Sequence, residues 1–108
     1  MSFKEKSLIE LTDFIKKEIP FDSMKKNNGV YETSSLGKSL SGNNITIGVS
    51  YEDYEDNGSI REVYYYNIFD GEEYIDVMNG DFAYKGYKLP MWVVNKLKKE
   101  ICKLIDGE

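Results

Sequence analysis

Between Tyr51 and Asp81 the chain carries ten carboxylates, Glu52, Asp53, Glu55, Asp56, Glu62, Asp70, Glu72, Glu73, Asp76 and Asp81, against one cation, Arg61, with six tyrosines set among them. The remainder holds nine acids and thirteen lysines, so the net charge of -5 divides into -9 for this stretch and +4 for everything else. Such a stretch can do three kinds of chemistry: attract a basic macromolecule, coordinate a cation, or transfer protons. A concentrated negative field steers basic partners and repels nucleic acid. The first expectation is therefore a basic protein partner, with no direct contact to nucleic acid.

Spacing argues against the other two. Asp53, Glu55, Asn57, Gly58 and Ile60 fall at the first, third, fifth, sixth and eighth positions of a helix–loop–helix calcium loop. The match then fails, because Arg61 takes the ninth position and Tyr64 the twelfth, where a bidentate glutamate is required. No metal or cofactor is expected. The chain has no histidine, which removes the usual general base at neutral pH and every imidazole-dependent triad or metal site. Paired carboxylates serve glycosidases and metal-dependent phosphoryl transfer, but 108 residues leave little chain for a cleft once a core is closed. Cys102, between apolar helix positions Ile101 and Ile105, reads as a small core residue with nothing to activate its thiol. Gly37-Lys38-Ser39 ends like a phosphate loop but lacks the earlier glycine and the strand that build the cradle. The expectation is a non-enzyme.

Elements must hold the acids in place. A helix is expected from Phe3 to Glu18, opened by a Ser2-to-Glu5 capping box and stopped by Pro20, with Leu8, Leu11, Ile15 and Ile19 as its apolar stripe and Phe14 beside them. A second helix follows Pro90, with Val94, Leu97, Ile101 and Leu104 or Ile105 buried, Gly107 at its end and Lys96, Lys98, Lys99 and Lys103 outside. These lysines read as a solvated face, since no aromatic and basic groove accompanies them. Trp92 lies off the stripe and either caps the core edge near Tyr87 and Leu89 or offers a second contact site.

Asn57-Gly58, Asp70-Gly71 and Asn79-Gly80 are each hairpin-turn dipeptides. Closing the first pairs Ile47 with Ile68, Val49 with Tyr66 and Tyr51 with Tyr64. Closing the second pairs Tyr66 with Ile75 and Tyr64 with Val77; closing the third pairs Val77 with Phe82 and Ile75 with Tyr84. All three registers put the same apolar set on one face, and a slip of one residue would invert it. The expected fold is α+β, one domain over 1–108: an antiparallel four-stranded β-meander, five-stranded if Val30 to Thr33 adds an edge, with an N-terminal and a C-terminal helix packed on one face. The rest of 21–44 reads as irregular.

On the opposite face this register gathers Ser50, Tyr65, Asp76 and Ala83, with Glu52, Val63, Met78 and Asp81 on one side and Gly48, Asn67, Tyr74 and Lys85 on the other. The candidate partner-binding set is Glu52, Asp53, Tyr54, Glu55, Asp56, Tyr65, Tyr74, Asp76 and Asp81. Carboxylates supply on-rate and discrimination, and tyrosines supply rigid contact area with a hydroxyl. Such strand faces also simply meet water.

The functional expectation is a small acidic inhibitor that occludes a nucleic-acid-handling enzyme, a DNA mimic in the manner of phage anti-CRISPR and anti-restriction proteins. The alternatives are an immunity protein against a nuclease toxin and a non-catalytic structural or regulatory module that forms a homodimer through its sheet. With no signal-like or membrane-spanning run and a single cysteine, a cytoplasmic setting without membrane contact is expected.

Overall fold

The computed structural model describes residues 8–27, 29–78 and 89–107. In chain order its elements are α1 (Leu8–Glu18), α2 (Phe21–Asn27), β1 (Val30–Glu32), β2 (Ile45–Asp56), β3 (Ser59–Asp70), β4 (Glu73–Asp76) and α3 (Met91–Asp106). The strands form one antiparallel sheet in the order β1-β2-β3-β4, and the helices close its apolar face. The α+β architecture follows.

α1 buries Leu11 and Ile15, with Ile19 buried just past its end and Phe14 half-buried beside them, and turns Lys16 and Lys17 to solvent at its C-terminal end, where cations suit the helix dipole. The Ser2 to Glu5 cap lies outside the described residues. α3 starts after Pro90, whose φ of -67° and ψ of 151° make it the N-cap, one position before the first helical turn. It buries Val93, Val94, Leu97 and Ile101 and ends on Gly107, which at φ 80° donates its N–H to the Lys103 carbonyl at 2.7 Å. Trp92 is half-buried against the core, with Lys96 Nζ 5.1 Å from its ring centroid, so it caps the core edge. Cys102 is likewise half-buried against the core.

Three features differ from the expectations. The segment after Pro20 is not irregular throughout, because α2 forms there and inserts Phe21 and Met24 into the core. Seven residues do not hold a helix by themselves, and tertiary burial stabilises this one. Its neighbourhood is tied further by Ser34, whose hydroxyl and N–H both donate to Glu18 and hold that carboxyl below the usual range.

The second hairpin is displaced by two residues. Its pairs are Ile68 with Ile75 and Asn67 with Asp76, in place of Tyr66 with Ile75 and Tyr64 with Val77. The turn residues are Gly71 and Glu72, with positive φ (64°) at Gly71 alone, as a type II′ turn requires. Asp70 thereby becomes the last residue of β3, paired with both Ile45 and Glu73 and only 4% exposed, and its Oδ1 has no hydrogen-bond partner among the described residues. A slip of two preserves side-chain parity, so the apolar face is unchanged.

Met78, expected outward, lies in the core at 1% exposure. β4 ends at Asp76, the chain bends, and Asp76 Oδ1 accepts the Met78 N–H at 3.2 Å, which breaks the alternation. Asn79-Gly80, Asp81, Phe82, Ala83, Tyr84, Lys85 and Tyr87 lie outside the described residues. The edge strand at Val30–Glu32 is present beside β2.

Candidate functional site

The first hairpin is the longest feature of the molecule. Twelve residues of strand span roughly 40 Å, close to the 46 Å long axis, while the other two extents are 24 and 23 Å. Its turn is Asn57-Gly58 at φ 51° and 80°, both positive as a type I′ turn needs, so the twist of the two strands runs unbroken to the tip.

Half of this hairpin is buried and half is not. From Ile45 to Tyr51 the inward positions Ile45, Ile47, Val49 and Tyr51 meet Tyr64, Tyr66 and Ile68, all at 5% exposure or less. The last layer is aromatic: the Tyr64 ring lies 5.5 Å from Phe21 of α2 at 77°, and 5.1 Å from Tyr51 at 59°. Beyond it the inward register continues as Asp53 opposite Glu62 and Glu55 opposite Ile60, and there the core stops. Glu52, Asp53, Glu55 and Ile60 are exposed, Ile60 at 74%. Residues 52–62 thus form a two-stranded acidic arm. The Tyr51 hydroxyl donates to Asp53 at its root, and burial followed by that carboxylate raises the phenol well above its ordinary pKa.

The candidate residues are divided accordingly. Asp53 and Glu55 lie on the core-side register of the arm, and Glu52 on the opposite one with Tyr65. By register Tyr54 pairs with Arg61 and Asp56 with Ser59. Asp81 lies outside the described residues. Asp76 pairs with Asn67 and Tyr74 with Phe69, so the two-residue shift carries them away from Glu52, whose partner is Val63. Six residues of strand separate Val63 from Phe69, roughly 20 Å. Glu72, Glu73 and Tyr74 are exposed at the far end of the hairpin, Tyr74 at 58%. Among the described residues, the acids therefore fall toward the two ends of the hairpin.

The outer face is also less open than its sequence implies. Val63 is 1% exposed and Tyr65 half-buried. Gly48 is closed over by Asn67 and Phe69, which a Cβ there would meet at 2.7 and 3.0 Å. Phe69 in turn packs edge-on against Tyr74 at 5.7 Å and 67°. Partial desolvation, then the Asp76 carboxylate, raises the Tyr74 phenol pKa. Asp76 remains exposed, although it also holds the Met78 amide.

Two residues of the arm escaped the sequence reading of the site, Glu62 and Ile60. Their signal was the inward register itself: past Tyr64 it runs into Glu62, half-buried, and Ile60, exposed, a charge and an apolar group at the end of an otherwise buried row. The segment that resembled a calcium loop is a two-residue turn between long strands. Among the described residues, no cluster of three or more aspartate, glutamate, cysteine or histidine side chains is placed to hold a metal ion, and no helix is long and apolar enough to cross a membrane. No family model matches this chain, and neither a curated protein nor a solved structure matches it.

Proposed function

We propose that this is a non-catalytic binding protein that inserts its acidic arm into the basic groove of a nucleic-acid-handling enzyme and inhibits it by occlusion. One observation carries the reading: the linear charge density of the arm. Glu52, Asp53, Glu55, Asp56 and Glu62 set five carboxylates against Arg61 on a ribbon whose longer strand segment is residues 52–56. Five strand residues extend roughly 17 Å, or about one net negative charge per 4 Å with Arg61 counted, close to the spacing of charge along one nucleic-acid strand, about 3.4 Å. A groove built to neutralise phosphates meets a similar field on this ribbon.

The split between faces suits insertion. A ribbon lying in a groove is contacted on both sides, so Asp53 and Glu55 meet one wall and Glu52 with Tyr65 the other. Because exposed charges are screened over about 10 Å at 0.1 M salt, the binding weakens as salt rises.

Affinity capture from cell lysate, with the protein and its E52K/D53K/E55K variant side by side, tests this directly. The expected captured protein is a basic nucleic-acid enzyme that is inhibited stoichiometrically, released by salt and at least tenfold weaker toward the variant. Equal capture by both proteins would show that the arm is not the contact.

A further inference from the structure

β2 overruns its neighbour on one side. β1 pairs with it from Gly48 to Ser50, and backbone bonds from Thr33 N–H to the Ile47 carbonyl (2.9 Å) and from Tyr51 N–H to the Gly29 carbonyl (3.2 Å) bracket that pairing. These bonds fix the direction of the peptide groups: Ile47 and Tyr51 present theirs to β1, as Val49 between them does by alternation, and Gly48 and Ser50 present theirs to β3. In a strand the alternation continues. The N–H and C=O of Asp53 and Glu55 therefore face the β1 side, where no strand pairs them among the described residues.

An unpaired strand edge is a template for another chain. The charge on this one selects the occupant. A second copy of the arm would set five carboxylates against five, and like charges across strands oppose pairing. A cationic strand meets the opposite situation, with main-chain hydrogen bonds giving affinity and alternate side chains giving selectivity.

We infer that the β1-side edge of the arm adds an extended lysine- or arginine-bearing segment of its partner as a further strand, hydrogen-bonded to Asp53 and Glu55, with its cations over Asp53, Glu55 and Glu62. This rests on the arm being the binding element and specifies how it binds.

The probe is a lysine–valine alternating heptapeptide, compared with the same peptide N-methylated at two consecutive central residues, which keeps the charge and blocks donors on both strand edges. Calorimetry at low salt should give at least tenfold tighter binding of the unmethylated peptide, and hydrogen exchange at the Asp53 and Glu55 amides should slow when it binds. Glu55→Pro removes an edge-facing N–H that the β2–β3 ladder does not use, and should weaken binding several-fold more than Glu55→Gln. Equal, salt-sensitive binding of both peptides would overturn strand addition while leaving the arm as a contact for cations. Protection of both amides in the free protein would overturn it by showing the edge already covered. Failure of both peptides to bind would remove this inference together with the arm reading.

Discussion

The two halves of the β2–β3 hairpin share their strands, their alternation and their turn, yet Ile45, Ile47, Val49, Tyr51, Tyr64, Tyr66 and Ile68 are core, whereas Glu52, Asp53, Glu55 and Ile60 in the arm are exposed. The boundary falls where α2 ends its cover. Phe21 packs on Tyr64, and one row further the inward pair is Asp53 with Glu62. A strand pattern states which side chains share a face; only a packed neighbour makes that face an interior. The arm retains what burial forbids, namely like carboxylates on facing strands.

The comparison breaks most sharply at Tyr64. Tyr64→Ala removes the aromatic layer at the root and should cost about 3–5 kcal/mol in urea unfolding, whereas Glu55→Ala in the arm should stay within about 0.5 kcal/mol. Equal costs would mean that the arm is as integral to folding as the root.

The two turns make a second contrast. Gly71 and Gly58 both hold positive φ, at 64° and 80°, but a Cβ at Gly71 would lie 2.9 Å from the Asn43 side chain while at Gly58 none of the described residues stands within 4 Å. Both alanine substitutions meet left-handed strain of about 1–2 kcal/mol. Gly71→Ala adds the contact with Asn43 and should lower global stability by about 2–3 kcal/mol. Gly58→Ala should mainly loosen the tip, seen as faster hydrogen exchange there with little change in the global midpoint.

The smallest effect sharpens the contrast through ionisation. Burial raises the Tyr66 phenol above its ordinary value of 10.0. A raised folded-state pKa contributes stability that is complete below the unfolded value and is lost as pH climbs past it. Between pH 10 and the raised value, Tyr66 alone should remove about 1.4 kcal/mol of stability per pH unit. An ultraviolet titration of the phenols should show Tyr66 ionising only as the protein unfolds, and Tyr66→Phe should flatten the alkaline loss. Reversible ionisation of every tyrosine near pH 10 in folded protein would refute this account of the root.

Much of the architecture was legible before the fold was known. Asn57-Gly58 specified the first register residue for residue, because a two-residue turn leaves no slack. The stripes Leu11-Ile15-Ile19 and Val94-Leu97-Ile101 announced their buried faces. Asp70-Gly71 misled by one position, since that dipeptide also fits a turn beginning at glycine. Met78 was misplaced because alternation was carried past the end of β4, and α2 was missed because its stability comes from Phe21 and Met24 burying against other elements. The candidate site was the less legible part. Charge composition cannot tell one acidic surface from two ends of a hairpin, and the shift that carried Asp76 and Tyr74 away from Glu52 arises in a turn.

By itself, the sequence determined side-chain parity, the inward set Ile47, Val49, Tyr51, Tyr64, Tyr66 and Ile68, and the concentration of acid beyond it, because turn geometry and apolar periodicity are local. Where the core ends, whether Val63 meets water, and which carboxylates stand together were decided only in the folded molecule. These depend on which distant segments come to lie against each strand, and a strand does not encode its own cover.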